Sequence, residues 1–170
     1  ELNKFSKRSN EILINRAFKL HAQGNVLEAE KYYKFLLDKE LNHPLVLCNY
    51  GVICKQMGRV DEAILLYKKS IRLFPKHADA YSNLGNILKG LEKYNEARIY
   101  CLKAIEINPN YAEAYSNLGS ILRELREFTY AESCIRKAIL IMPDLINAHV
   151  HLGNILMDQG KLKEAEESQR

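Results

Sequence analysis

Four asparagines recur at a fixed interval of 34 residues: Asn15, Asn49, Asn83 and Asn117. The next step lands on His151. A primary amide carries both donors and an acceptor, so a row of amides can pair with a peptide main chain whatever its side chains. Ser82 and Asn86 share a window with Asn83, Ser116 and Ser120 share one with Asn117, and Lys89 and Arg123 follow just after. These windows are near-copies, AYSNLGNIL at 80–88 and AYSNLGSIL at 114–122. The chemistry they suggest is hydrogen-bonded recognition, with no bond made or broken.

Other chemistries find little support. The histidines His21, His43, His77, His149 and His151 are scattered. His149 and His151 stand two apart on a helix, roughly 200° around it, and cannot share a metal. Cys48, Cys54, Cys101 and Cys134 form no CxxC pair and sit in apolar helical contexts. They read as reduced, buried thiols of a cytoplasmic protein. There is no phosphate-gripping glycine loop and no nucleophile elbow. The expectation is a non-enzyme without cofactor or metal.

Charge and hydropathy narrow the partners. Residues 1–77 hold 14 Lys/Arg against 8 Asp/Glu, while residues 78–170 hold 11 against 13. A mildly basic front end can attract an acidic partner, but such charge runs read first as solvated helix faces. It lacks the dense basic stripe with stacking aromatics that nucleic acid requires. No apolar run approaches the ~18 residues of a membrane span. The opening ELNKFSKRSN lacks the apolar core of a signal peptide.

The elements that must position the asparagines follow from the same period. Pro75, Pro109 and Pro143 are 34 apart, which frames units 10–43, 44–77, 78–111, 112–145 and an incomplete 146–170. The twentieth position is alanine in all five units: Ala29, Ala63, Ala97, Ala131 and Ala165. The eighth is small in all five: Ala17, Gly51, Gly85, Gly119 and Gly153. Each unit reads as two helices. In the third, Tyr81, Leu84, Ile87 and Leu88 form one apolar stripe, predicting a helix from about Ala78 to Lys89. A second is predicted from about Tyr94 to Ile107, ended by Asn108-Pro109. Gly58, Gly90 and Gly160 are expected at the turns. A glycine inside a helix costs ~1 kcal/mol relative to alanine, so close helix approach, Gly85 on Ala97 and Gly119 on Ala131, is the expected compensation.

Period 34, aromatic at the fourth position, Leu-Gly at the seventh and eighth, Ala at the twentieth and Pro at the thirty-second resemble the tetratricopeptide repeat (TPR). The resemblance covers residues 10–170. It implies an all-α, right-handed superhelical solenoid of antiparallel helix pairs, one TPR array over residues 1–170. The first unit departs most, with Arg16, Leu36 and Leu41 in place of leucine, a small residue and proline. Such departures suit a terminal unit with one neighbour.

The resemblance also implies a concave groove, lined by the first helix of each pair, that holds a protein or an extended peptide. The groove positions give the candidate peptide-binding set Asn15, Asn49, Asn83, Asn86, Asn117 and Ser120. The asparagine ladder is similar to that lining the TPR superhelix of the O-linked N-acetylglucosamine transferases. In the first two units the groove positions are apolar, Ile14, Phe18, Leu45, Cys48 and Val52, with Phe18 and Val52 equally suited to the core. The carboxylate clamp of chaperone-binding TPR domains needs a lysine at the fifth position. Here the fifth positions are Ile14, Cys48, Ser82, Ser116 and Val150, so that clamp is absent.

The chain stops midway through a predicted second helix. An uncovered apolar edge around Ile155, Leu156 and Leu162 is expected, through which homo-oligomers could form. The alternative function is a structural or oligomerisation arm of a larger enzyme, such as a glycosyltransferase, sulfotransferase or methyltransferase, with its catalytic domain downstream.

Overall fold

The structure, a computed structural model, describes the backbone of residues 2–161 and the side chains of residues 9–161. Leu162 and Ala165 lie outside the described residues. All regular structure among the described residues is helical: α1 (Leu2–Ala22), α2 (Val26–Asp38), α3 (Pro44–Gln56), α4 (Val60–Leu73), α5 (Ala78–Gly90), α6 (Tyr94–Ile107), α7 (Ala112–Glu124), α8 (Phe128–Ile141) and α9 (Ile146–Asp158). The fold is an all-α TPR solenoid. It divides into two compact units, the first ending at Phe74 and the second beginning at Pro75.

In the first unit α1 packs on α2 and α3 on α4, with α2 against α3 joining the pairs. The core is filled from the second helices by Tyr33, Leu36 and Tyr67, all essentially inaccessible. Leu36, one of the departures of the first repeat, is fully buried where later repeats carry Ser70, Ala104 and Ala138.

In the second unit the pairs are α5–α6 and α7–α8, followed by α9, and α5, α7 and α9 also pack side by side. The close approach predicted for the glycines is present. A Cβ on Gly85 would stand 3.1 Å from the Ala97 carbonyl oxygen and 2.7 Å from Cys101 Sγ. One on Gly119 would stand 3.0 Å from the Ala131 oxygen and 2.6 Å from Ile135 Cδ1. Two fourth-position side chains, Tyr81 and His149, reach back to the loop before their own helix. Tyr81 Oη donates to the Pro75 carbonyl at 3.2 Å. His149 Nε2 lies 2.7 Å from the Pro143 carbonyl, which can only accept, so Nε2 carries the proton.

Two expectations change. Gly90 is the last residue of α5 and not the turn. The left-handed turn residue is the fifteenth of each repeat: Gly24, Gly58 and Gly160 at φ near 75°, but Glu92 at 59° and Arg126 at 63°. In α5 the helix runs on through Gly90, so the reversal falls two residues later. Second, Ile155 and Leu156 are buried, because α9 turns them inward as it packs on α7 and α8. The exposed apolar residues of α9 are Ile146, Val150 and Met157.

Candidate functional site

In the second unit α5, α7 and α9 lie side by side and leave a polar cleft of about 420 Å³. Asn83, Asn86 and Lys89 line it from α5, Ser116 and Asn117 from α7, Asn147 and His151 from α9, with Tyr111 at the mouth. Small residues create the room. Ser82, Ser116 and Ser120 stand where a larger residue would fill the space between adjacent first helices.

These serines are not the open surface that the sequence suggests. Ser82, Ser116 and Ser120 are all less than 9% exposed. Two of them accept hydrogen bonds from the next repeat or the one before. Asn117 Nδ2 donates to Ser82 Oγ at 3.1 Å, and Lys89 Nζ donates to Ser120 Oγ at 3.1 Å. Burying a hydroxyl without a partner is costly, so these contacts are part of the packing as well as of the cleft. Asn83 and Asn86 are half-buried and face the cleft. Tyr111 also lines the cleft, and burial together with the Asp79 charge raises its pKa.

The electrostatics are uneven. His151 is pushed down to about 4 by burial and by the Lys89 and Arg123 charges. A neutral imidazole therefore faces two cations at neutral pH. Arg123 is itself tied to Asp158 at 2.6 Å and to Glu124 at 3.4 Å. Glu113 lines the cleft at its opposite end, ten residues back along the first-helix frame, or ~15 Å.

In the first unit Asn15 is exposed on α1. Asn49 is half-buried and hydrogen-bonds the Tyr33 hydroxyl. Of the apolar groove positions, Cys48 is buried, Ile14, Phe18 and Val52 are half-buried and Leu45 is exposed. Phe18 packs its ring against Tyr33 and His43, at centroid distances of 6.3 and 6.0 Å. Sequence reasoning misses the convergence of Lys89 and His151. The two are 62 residues apart, and only side-by-side stacking of α5, α7 and α9 brings them to one cleft.

Four tetratricopeptide repeat profiles match the chain, over residues 51–92, 78–111, 100–133 and 146–170. The chain belongs to the TPR family. A solved MamA structure is 27% identical, with a TM-score of 0.72, covering 90% of each chain. TTC0263, a thermophilic TPR protein of Thermus thermophilus, is 19% identical with a TM-score of 0.79, covering 94% of this chain and 87% of its own. A shorter match, 36% identical over 59 residues, is to the uncharacterized protein YgeG of Escherichia coli (strain K12). It spans 35% of this chain and only 36% of YgeG. Family and fold are those of protein-interaction scaffolds, typically non-catalytic. Among the described residues no group of three His, Cys, Asp or Glu could hold a metal, and no helix is long and apolar enough to cross a membrane.

Proposed function

We propose that the chain holds an extended segment of a partner protein against its first helices, with Asn15, Asn49, Asn83, Asn86 and Asn117 pairing with the partner's main chain. The observation that carries this reading is the polar cleft between α5, α7 and α9, which gathers Asn83, Asn86 and Asn117 with Asn147 in one concavity. An amide that faces a cleft can take either end of a peptide group, so recognition is tolerant of side-chain sequence. Ser120 acts indirectly, by holding Lys89. Asn117 has a double role, because its amide also bridges to Ser82. We extend the same reading to a single array of 34-residue repeats over residues 1–170, working in the cytoplasm.

The test uses a peptide selected by display against the whole chain. Asn83→Ala with Asn86→Ala is expected to weaken its binding about tenfold or more, the worth of one to two hydrogen bonds. Circular dichroism should show helicity unchanged. Unaltered affinity at intact helicity removes the asparagines from the mechanism.

A further inference from the structure

Resting on that reading, we propose that the cleft of the second unit receives a carboxylate of the bound segment, seated between Lys89 and His151. Lys89 lies at the C-terminal end of α5 and lines the cleft with Asn86, while the Ser120 hydroxyl fixes its ammonium group from α7. His151 approaches from α9. The groups whose charge bears on His151 are Lys89 on α5 and Arg123 on α7. Tyr111 and Glu113 line the same cleft, and Asp158 on α9 is engaged with Arg123.

Lys89 supplies the cation that lines this end of the cleft, and Glu113 lines it at the far end. A carboxylate there meets an ammonium, the Asn86 amide and an imidazole N–H, and charge-assisted bonds of this kind are the strong ones. Burial is the main reason His151 is neutral, and a carboxylate would offset the Lys89 and Arg123 charges that add to it, so His151 gains proton affinity when the site fills. The carboxylate can be an Asp or Glu side chain or a chain terminus. The arrangement differs from the fifth-position lysine clamp, because the cation comes from the twelfth position.

Three probes separate these sources: acetyl-Ala-Glu-Ala-amide, acetyl-Ala-Gln-Ala-amide, and acetyl-Ala-Ala-Ala with a free carboxylate. Each is titrated to millimolar concentration into the labelled chain and followed by NMR. The Glu peptide or the free-carboxylate peptide is expected to move the signals of Asn86, Lys89, Ser120 and His151, and to raise the pH at which His151 titrates. Whichever of the two binds more tightly names the source. Lys89→Met should weaken that binding about tenfold or more, with Lys89→Arg recovering part of it. Equal shifts from the Gln peptide, or unchanged binding by Lys89→Met, overturn the carboxylate site while leaving peptide binding intact. Silence from all three probes overturns it as well. In that case the display-selected peptide and its sensitivity to Asn83→Ala decide separately whether the groove binds peptides.

Discussion

The two units build the same helix pair with the bulky side chain on opposite partners. In the first, the second helices carry the aromatics, Tyr33 and Tyr67 at the twenty-fourth position, with leucines Leu13 and Leu47 at the fourth. In the second the order is inverted: Tyr81 and Tyr115 occupy the fourth position, with Cys101 and Ile135 at the twenty-fourth. Both solutions seal the interior, since Tyr33, Tyr67, Cys101 and Ile135 are all 0–1% exposed. Interiors are packed to nearly crystalline density, so what a repeat must keep is filled volume, and the position that supplies it is free to move. The polar cleft belongs to the second unit; where its serines stand, the first unit carries Ile14, Phe18, Cys48 and Val52.

The comparison breaks most sharply at Tyr67. Tyr67→Cys installs the second unit's residue without its compensating aromatic and empties a site against Gly51. Stability should fall by roughly 3–5 kcal/mol, the range for truncating a buried aromatic. Urea denaturation measures it. A loss below about 1 kcal/mol would mean that the first unit collapses around the gap and that filled volume is not the constraint.

Next in size is the response to acid. His151 in the second unit is lowered to about 4, so the unfolded chain binds this proton more readily than the folded one. Its contribution is complete above the ordinary histidine value of ~6.5 and is lost as pH falls from there through about 4. By linkage the folded state loses stability over this window, by less than the full shift implies because solvent screens the partly exposed ring. Comparing wild type with His151→Gln isolates it from carboxylate titration, and parallel pH profiles for the two would contradict the burial described. His21 of the first unit is lowered too, by burial.

The smallest effect concerns the turns. The first unit uses Gly24 and Gly58 where the second uses Glu92 and Arg126, all with positive φ. Glu92→Gly should stabilise by about 0.5–1 kcal/mol, since left-handed backbone costs a side-chain-bearing residue ~1–2 kcal/mol and glycine little. Gly24→Ala should do the reverse, even though a Cβ there meets nothing within 4 Å. Thermal melts of the two variants should move in opposite directions.

What is legible in the sequence is whatever repeats. The second helix of the third repeat is bounded to the residue, Tyr94–Ile107, and its first helix to within one. The glycine contacts with Ala97 and Ala131 follow from their spacing. The turn falls on Gly90 in the sequence reading because glycine is the usual signal for left-handed backbone, and Glu92 adopts it without one. Of the candidate site, the asparagines facing the cleft are legible. The burial of Ser82 and Ser120 is not, because it depends on hydrogen bonds to the adjoining repeat. The ion pairs between repeats escape for the same reason, although they have a signal: opposite charges 29 residues apart at Glu30 and Arg59, Arg98 and Glu127, and Glu132 and Lys161.

Those pairs join the twenty-first position of one repeat to the sixteenth of the next, at 2.7, 2.8 and 3.0 Å, and the polarity reverses at Arg98. Stacking a repeat on a copy of itself would set Arg98 against Lys93, or Glu127 against Glu132, like charge on like. Each exposed pair adds little to stability. Their effect is on order: near-identical segments such as AYSNLGNIL and AYSNLGSIL could exchange places during folding or between chains. The like charges penalise stacking the third or the fourth repeat on a copy of itself.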